Sequence, residues 1–479
     1  MKDKQDFISR LAKILPASQL LHESEDLKPY ECDALSAYQI VPLAVAIPEN
    51  IQQIKEILSL CYDNNVPVVA RGAGTGLSGG ALPHEEGILL SLAKFNKILS
   101  INEDNMTAVV QPGVRNLAIS EAANDYGLYY APDPSSQIAC SIGGNVAENA
   151  GGVHCLKYGL TVHNILSVEM ITVEGDKILL GSDGLDSCGL DLMALITGSE
   201  GLLGVITEIQ VKLFPIPEKA QVVMAAFDTV QQAGDAVGGI ISNGIIPAGL
   251  EMMDTHAIQA AEDFAKAGYP KGAQALLLCE LDGTAEEVQE YIQQVEKLFL
   301  TYGATSTRTS QTEAERALLW KGRKSAFPAV GRISPDYYCM DGTIPRGQLA
   351  HVLTEMQKMS EHYQLRVANV FHAGDGNLHP LILFDANVPG EFERTEEFGG
   401  RILELCVEVG GCITGEHGVG IEKIRQMPVQ FNKQELQQFN AIKEAFDPEG
   451  TLNPGKGIPT LRRCQEYRSI EPSEEISHG

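Results

Sequence analysis

Two short glycine-rich motifs in the second half of the chain carry three of its eleven histidines. The first motif, HAGDGNLH, places His372 and His379 around the Asp-Gly pair at 375–376, which is typical of a tight turn between two strands. This turn is expected to bring the two imidazoles together. The second motif, GEHG, adds Glu416 and His417. Two histidines and one carboxylate suit a divalent cation such as zinc or manganese, with coordination positions left open for a substrate.

Two further residues are candidates for chemistry: His417 as a base, and Arg323 as a cation that binds a carboxylate. Adjacent residues in an extended segment point to opposite sides, so Glu416 and His417 are expected to serve different tasks. An imidazole whose pKa lies near the operating pH suits removal of a proton from an alcohol. Arg323, in the segment WKGRK, could bind a carboxylate through two parallel hydrogen bonds. The alternatives are histidines that only form hydrogen bonds within a core, and a solvated helix face around Arg323.

A glycine-rich loop, RGAGTGLSGG at residues 71–80, directly follows a predicted strand in the first half. Its five glycines let the backbone approach a ligand and turn N–H groups toward it, which suits a diphosphate. Gly74, Gly76 and Gly79 match the dinucleotide fingerprint of nicotinamide-dependent enzymes. However, no helix is predicted at the last glycine, and no acidic residue ends a second strand about 20 positions on. That class of enzyme is therefore rejected.

Two more loops rich in glycine, serine and asparagine follow, at residues 132–152 and 197–206. Loops separated along the chain in this way can hold the two ends of a large cofactor through backbone and hydroxyl hydrogen bonds. Three turn-forming loops of purely structural function are the alternative, although their buried backbone groups would still need partners. The loops favour a cofactor that has phosphates and a ring system.

The composition restricts the possible function classes. A formal net charge of −27 would repel the phosphate backbone of a nucleic acid, so nucleic-acid binding is rejected. The ten cysteines include no CxxC pair, which favours reduced cytosolic thiols and argues against an iron–sulfur cluster bound by this chain. The charged segment MKDKQDFISR lacks the apolar core of a secretory signal, and no apolar run approaches the roughly 18 residues of a membrane helix.

Alternating strand and helix patterns predict the elements that must position these motifs. A helical face at 48–64 precedes a buried strand at 66–70 and the first glycine loop, which predicts an α/β first half. The second half combines strand-like stretches with amphipathic helices such as 284–302, as an α+β domain does. Two prolines in KLFPIPE indicate a boundary near residue 217. The expected parts are 1–37, 38–217, 218–456 and a polar tail at 457–479.

With these motifs in this order, the chain resembles the D-2-hydroxy-acid dehydrogenases, which carry an FAD-binding domain of the vanillyl-alcohol-oxidase type. The resemblance runs from PLAVAIPENIQQIKEIL to DPEGTLNPGK, nearly the whole chain. It implies an α+β fold with an N-terminal helical segment, an α/β FAD-binding domain of two subdomains, and an α+β cap domain that binds substrate. The residues that it implies for FAD binding are Arg71, Gly72, Ala73, Gly74, Thr75, Gly76, Ser78, Gly79, Gly80, Pro132, Asp133, Ser135, Ser141, Gly143, Gly144, Asn145, Asn149, Gly151, Gly152, Gly201, Val205, Ile206 and Asn453.

The resemblance also implies roles in the second half. The residues that correspond to metal ligands are His372, His379 and Glu416. His417 corresponds to the catalytic base, and Arg323 to the arginine that binds the substrate carboxylate. Cys339 stands where relatives that act on 2-hydroxyglutarate carry a lysine for the distal carboxylate, which favours a short monocarboxylate. The expected reaction is FAD-dependent oxidation of a small D-2-hydroxy acid to the 2-oxo acid, with glycolate as first substrate and D-lactate as the alternative. A non-catalytic flavin-binding scaffold subunit is the alternative of another class.

Covalent attachment of FAD in related proteins uses a histidine or cysteine in such loops. The first loop contains neither, so non-covalent FAD is expected, although Cys140 and His154 lie in or beside the second loop. As in the relatives, electrons are expected to leave reduced FAD through iron–sulfur partner subunits and a membrane quinone. The expected location is therefore the cytoplasm, or the inner face of a membrane through such a partner.

Overall fold

Two main sheets and several short helices make up the first half of the chain. The structure is a computed structural model that describes residues 4–184 and 189–459. The strands of this half are β1 (Leu20–Leu21), β2 (Ala44–Ala46), β3 (Val68–Arg71), β4 (Ile88–Ser91), β5 (Ile98–Asn102), β6 (Thr107–Val110), β7 (Leu128–Tyr129), β8 (Ile165–Ile171), β9 (Lys177–Gly181), β10 (Val205–Lys212) and β11 (Phe214–Pro215). Its α-helices are α1 (Lys4–Ile14), α2 (Ser24–Leu27), α3 (Ile51–Asp63), α4 (Asn116–Ala123), α5 (Ile142–Glu148), α6 (Cys155–Tyr158) and α7 (Leu192–Ile196).

A four-stranded sheet carries the first glycine loop. Its order is β1-β2-β4-β3, and both β2 and β3 run parallel to β4. Helix α3 connects β2 to β3 and buries most of its predicted apolar face in the core of this sheet. The helix begins at Ile51 because Asn50 accepts a hydrogen bond from the backbone N–H of Gln53. Strand β3 ends at Arg71, where the glycine loop starts.

A second sheet of five antiparallel strands, in the order β5-β6-β10-β8-β9, lies beside the other two loops. Loop 132–152 contains helix α5, and loop 197–206 leads directly into β10. Ile171 and Val205 of this sheet share an apolar core with strands β2 to β4. The first half is therefore an α/β region built from two connected subdomains.

The second half is organised around one large antiparallel sheet. Its strands are β12 (Lys219–Phe227), β13 (Gly249–Asp254), β14 (Ala275–Gly283), β15 (Ser306–Thr309), β16 (Asp336–Cys339), β17 (Gly342–Thr343), β18 (Arg366–His372) and β19 (Asn377–Phe384). Its α-helices are α8 (Val230–Ser242), α9 (Thr255–Ala265), α10 (Ala285–Thr301), α11 (Glu313–Lys324), α12 (Ala326–Val330), α13 (Leu349–Tyr363), α14 (Glu391–Glu408), α15 (Met427–Gln430) and α16 (Lys433–Phe446). The strand order is β15-β12-β14-β13-β18-β19-β16, and β17 pairs with β19.

Helices cover both faces of this sheet. Apolar residues of α8, α10, α13 and α14 form a core on one face, and those of α9, α11 and α12 form a core on the other. This layering confirms the expected α+β arrangement of the second half. The predicted boundary near residue 217 falls between β11 and β12.

The last described segment returns to the first half. The backbone N–H of Val68 in β3 donates to the carbonyl of Thr451 at 2.8 Å, and the N–H of Asn453 donates to the carbonyl of Val68 at 2.8 Å. Most of the predicted polar tail, at 460–479, lies outside the described residues. Within the described ranges, no helix combines the length and the apolar character needed to cross a membrane.

Candidate active site

A cavity of about 400 Å³ lies between the two halves of the chain. All three glycine-rich loops line it from the first half, and both histidine motifs line it from the second. The predicted cofactor residues in its lining are Arg71, Gly72, Gly74, Thr75, Gly76, Gly80, Ser135, Ser141, Gly143, Gly144, Asn145, Gly201 and Ile206. The structure therefore brings the three loops together around one space.

The other predicted cofactor residues lie outside this lining, and their part in cofactor binding stays a prediction. They are Ala73, Ser78, Gly79, Pro132, Asp133, Asn149, Gly151, Gly152, Val205 and Asn453. Several of them hold the loops to other segments. The carbonyl of Ser78 accepts the N–H of Ile421 at 3.0 Å. The side-chain amide of Asn453 donates to the carbonyls of Gly80, at 3.0 Å, and Glu200, at 2.7 Å.

The first two loops approach each other closely beside the cavity. A Cβ atom on Gly72 would collide with Ser141 Oγ, so a larger residue here would force the Ser141 side chain to move. Gly74 has a φ of +71°, which glycine adopts without strain. Ser141 Oγ is buried and has no hydrogen-bond partner among the described residues. A free hydroxyl beside a turned glycine-rich backbone fits the phosphate portion of a dinucleotide.

Strands β18 and β19 position the two histidines of the HAGDGNLH motif, as the tight turn predicted. The antiparallel register pairs His372 with Asn377 and Val370 with His379, so the two imidazoles lie on the same face of the sheet. The turn includes Gly376, whose φ is +87°. The centroids of the two imidazole rings are 5.0 Å apart.

Glu416 and His417 lie in a bend beside these rings, and not in the extended segment that the sequence analysis expected. Both residues line the cavity. Glu416 Oε1 lies 2.9 Å from His379 Nε2 and 3.6 Å from His372 Nε2. The ring of His417 stacks on that of His379, with 5.1 Å between centroids. The two neighbours therefore differ in their contacts although they face the same space.

The donor atoms of His372, His379 and Glu416 lie within 4.8 Å of one another, as a metal site requires. Glu416 Oε2 and His379 Nδ1 are buried and have no hydrogen-bond partner in the described part of the chain. Burial by itself would raise the pKa of Glu416, but hydrogen bonds with His372 and His379 hold that pKa well below its ordinary value. An ionised carboxylate beside two imidazoles fits zinc or manganese. Among the described residues, Cys339, His379 and His417 form a second set within the same distance.

The pKa of His417 differs from the value near the operating pH that was expected of it. Burial lowers the pKa of His417 to about 4, against the opposing attraction of Asp341. Its Nδ1 is buried and has no hydrogen-bond partner within residues 4–184 and 189–459. A neutral imidazole at physiological pH can accept a proton from a bound alcohol.

Arg323 is almost completely buried, at 2% exposure, and lies outside the cavity lining. Arg323 lies on the buried side of α11. Its Nη2 forms an ion pair with Glu251 Oε2, 2.5 Å away. The adjacent Lys324, which the sequence analysis did not single out, lines the cavity instead. The structure thus pairs Arg323 with a carboxylate of the protein, and its binding to a substrate carboxylate stays a prediction.

Asp341 is a supporting residue that sequence reasoning missed. Its carboxylate accepts hydrogen bonds from the backbone N–H groups of Gly415, Glu416 and His417, at 2.9 to 3.2 Å, and from the hydroxyl of Thr414, at 2.7 Å. Burial alone would raise the pKa of Asp341, but Lys423, whose Nζ is 3.2 Å away, holds it well below its ordinary value. Asp341 therefore holds the GEHG bend as a fixed anion.

The first half also contributes an anchor to this bend. Glu200, in the third glycine-rich loop, accepts the backbone N–H groups of Val419 and Gly420, each at 2.7 Å. The carboxylate thus ties the segment after His417 to the cofactor-binding half. Gly198 and Gly201 identified this loop in the sequence. No residue pattern near Glu200 indicated that its carboxylate would bind the backbone of Val419 and Gly420.

Comparison with known families agrees with this geometry. Residues 42–181 match the family described as FAD binding domain, and residues 216–457 match the family described as FAD linked oxidases, C-terminal domain. The chain belongs to the FAD-linked oxidase family. It is therefore an FAD-binding oxidoreductase, which confirms the expected cofactor and enzyme class.

This FAD-linked oxidase is similar to curated proteins along its whole length. It is 62% identical over 477 residues to glycolate oxidase subunit GlcD of Escherichia coli (strain K12), covering 100% of this chain and 95% of that protein. It is 30% identical to a D-lactate dehydrogenase of Anaerostipes hadrus, covering 94% and 97% of the two chains. The solved structure of 4-ethylphenol oxidase from Gulosibacter chungangensis has a TM-score of 0.80 and 18% identity, over 96% of this chain and 98% of that one. This last likeness concerns the fold alone and supports the expected vanillyl-alcohol-oxidase type.

Proposed function

We propose that this chain oxidises a small D-2-hydroxy acid to the corresponding 2-oxo acid, with glycolate as the first candidate substrate. The observation that carries the proposal is the shared cavity, in which the glycine-rich loops of the FAD-binding half meet His379, Glu416 and His417. The names of the relatives, a glycolate oxidase subunit and a D-lactate dehydrogenase, support this substrate class. D-lactate is the alternative, because one methyl group in an apolar pocket changes binding by only about 1–3 kcal/mol.

The lining of the cavity from the second half favours a small monocarboxylate. Phe327, Pro328 and Tyr337 supply apolar surface there. Cys339, in the place of the lysine found in relatives that act on a dicarboxylate, is buried at the end of β16. A second carboxylate on the substrate would therefore lose the cation that those relatives provide at this position.

Within this proposal, FAD is held non-covalently by the three loops and supplies the ring that accepts a hydride from the substrate α-carbon. Both potential attachment residues have side-chain partners within the protein, and Cys140 also lines the cavity. The side-chain amide of Asn145 donates to Cys140 Sγ at 3.4 Å. The ring of His154 lies between Asp133 and Glu280, at 3.0 and 3.1 Å. Release of flavin by acid precipitation of the purified protein would test the non-covalent assignment.

The proposed metal ligands are His372, His379 and Glu416. A divalent cation, zinc or manganese, lowers the pKa of a hydroxyl that it binds. His417 would take the hydroxyl proton of the substrate, and its neutral ring at physiological pH supports this role. Arg323 would bind the substrate carboxylate through its Nε, which has no hydrogen-bond partner among the described residues, and this role requires the carboxylate to reach past the lining at Lys324. These two residues are the proposed catalytic pair.

The proposal includes a partner for electron transfer. The relative with 62% identity is named a subunit, which supports assembly of this chain with other chains. An iron–sulfur subunit, or a quinone reached through it, would take the electrons from reduced FAD. The chain would then work in the cytoplasm or at the inner face of a membrane, held there by that partner.

The decisive experiment is anaerobic bleaching of the flavin absorbance by glycolate, D-lactate, L-lactate and D-2-hydroxyglutarate, each added separately to the purified protein. Rapid bleaching by glycolate or D-lactate, and not by the other two acids, is expected for an enzyme that acts on small D-2-hydroxy monocarboxylates. Initial rates over a range of concentrations then rank glycolate against D-lactate.

Two other results would contradict the proposal. Bleaching by none of the four acids would favour the non-catalytic flavin-binding scaffold subunit. Bleaching by D-2-hydroxyglutarate at least as fast as by glycolate would show that the position of Cys339 does not restrict the substrate to a monocarboxylate.

A further inference from the structure

Glu251, in strand β13, lies between a proposed metal ligand and the arginine proposed to bind substrate. Its Oε1 is 2.7 Å from His372 Nδ1, and its Oε2 is 2.5 Å from Arg323 Nη2. The three side chains are between 1% and 4% exposed. The antiparallel pairing of Met252 with Phe371 brings Glu251 next to His372 across β13 and β18. The Glu251 carboxylate therefore contacts both His372 of β18 and Arg323 of α11.

The contact with His372 has the geometry of a support for a metal ligand. Because Nδ1 faces Glu251, Nε2 is the ring nitrogen that faces Glu416, at 3.6 Å. Histidines that bind metals usually donate their other ring N–H to a carboxylate, which fixes the ring orientation and raises the basicity of the ligand. Glu251 occupies that place behind His372.

The contact with Arg323 is a buried ion pair that leaves donors unused. Neither Nε nor Nη2 of Arg323 forms a well-directed hydrogen bond within the described residues. A buried guanidinium needs a nearby anion, since an unpaired charge in the interior is strongly destabilising. Glu251 supplies that anion, and Arg323 Nε keeps no hydrogen-bond partner in the described part of the chain. Arg323 itself lies behind the cavity, and its neighbour Lys324 is the residue in the lining.

We propose that Glu251 is a positioning residue that couples the metal site to substrate binding, because one carboxylate holds both His372 and Arg323. The proposal rests on the metal and substrate assignments of the proposed function. It assigns no contact with substrate to Glu251 itself. Loss of the carboxylate is expected to weaken metal retention and carboxylate binding together.

The test compares Glu251→Gln with Glu280→Gln in the FAD-loaded protein. Glu280 is a matched control on the neighbouring strand β14. It is also buried and also pairs with a histidine and an arginine, His154 at 3.1 Å and Arg316 at 2.8 Å. Each protein is stripped of metal and dialysed against buffered zinc, and the bound zinc is measured by elemental analysis without any turnover. KM and kcat for glycolate are measured separately.

The expected result is a zinc affinity about 10- to 100-fold weaker in Glu251→Gln, together with a KM about tenfold higher. Glu280→Gln should keep the zinc affinity and KM of the wild type, even where it lowers stability. If Glu251→Gln folds poorly, the double variant Glu251→Gln/Arg323→Met removes the stranded cation. Its zinc affinity should also be about 10- to 100-fold weaker than that of the wild type.

Three outcomes would overturn the proposal. Glu251→Gln could bind zinc as tightly as the wild type, or Glu280→Gln could lose as much zinc as Glu251→Gln. A wild-type protein that takes up neither zinc nor manganese would remove the metal site of the proposed function, and this proposal with it. In contrast, Glu251→Gln could bind zinc more weakly while the wild-type protein oxidises none of the tested acids. This result would overturn the proposed reaction alone.

Discussion

The two walls of the cavity are built in opposite ways. The wall from the first half consists largely of backbone and small side chains, as in the close approach of Gly72 and Ser141. The wall from the second half presents ionisable side chains, among them Glu416 and His417, which are held by buried charges behind them. One wall depends on backbone conformation and close steric packing between loops, and the other depends on electrostatic contacts between charged side chains and their partners.

This difference predicts that the two walls respond to different changes. In the first wall, an added methyl group is harmful where the backbone of one loop packs against another. In the second wall, a change of charge is harmful even when the side chain keeps its size, because a buried partner is left unpaired. Variants of both walls, and of the contact between the two halves, test this contrast.

Replacing the proposed base should have the largest effect on turnover. His417→Asn removes a general base while keeping a polar side chain, so kcat should fall about 10²- to 10⁴-fold. The measurement is the rate of anaerobic flavin reduction by glycolate, with flavin content checked by absorbance. His351→Asn, on an exposed position of α13, is the control and should retain wild-type rates. A reduction rate of His417→Asn within twofold of the wild type would contradict the assignment.

A contact that joins the two halves of the chain, outside the cavity lining, should give a pH-dependent loss of stability. Burial opposes the charge on His154, but Asp133 and Glu280 outweigh it and raise its pKa from 6.5 to about 10. Because the pKa is raised in the folded protein, this stabilisation is fully present below pH 6.5 and disappears as the pH rises toward 10. His154→Gln should therefore lower the free energy of unfolding by about 3 kcal/mol at pH 6. Urea unfolding at pH 6 and pH 10 checks this, and an equal loss at both values would contradict it.

Changing the anion behind the GEHG bend should impair catalysis without removing a group from the cavity. Asp341→Asn keeps the size of the side chain but leaves Lys423 unpaired, so kcat should fall about 10- to 100-fold with unchanged FAD content. The double variant Asp341→Asn/Lys423→Met should recover stability but not kcat. Recovery of both properties would show that Asp341 matters only for folding.

The smallest expected effect concerns two glycines of the same loop. Gly72→Ala places a methyl group against Ser141, and it should lower the stability of the FAD-free protein by about 1–2 kcal/mol. Gly76→Ala meets open space in the loop and should leave that stability almost unchanged. Denaturant unfolding of the two FAD-free variants measures the difference. Similar losses in both would contradict the steric explanation.

Much of the site could be predicted where the relevant information is local in the sequence. The Asp-Gly pair at 375–376 predicted the turn that joins β18 and β19, and the structure places His372 and His379 on one face as a result. The glycine loop at 71–80 was predicted to bind a cofactor, and most of its residues line the cavity. Such features depend on backbone propensities that act over a few residues.

The supporting carboxylates could not be predicted in this way. Glu251 contacts a histidine 121 positions away, and Asp341 binds backbone groups 74 to 76 positions away. Each is an isolated acidic residue in an otherwise apolar or small-residue stretch, and its role depends on which segments pack against it. Glu416 and His417 were expected to lie in an extended segment. Their bend could not be predicted, because its shape depends on backbone hydrogen bonds to the distant Asp341.

The family, the FAD cofactor, the glycine-rich loops and the histidines that converge at a turn could all be inferred from the order of the residues. The pairing of Arg323 with Glu251, the position of Lys324 in the cavity lining, and the support of the GEHG bend by Asp341 and Glu200 became visible only in the folded chain. The physical reason is the range of the interactions. Turns and strands follow from neighbours along the chain, whereas a buried charge is stable only beside the partner that folding brings to it.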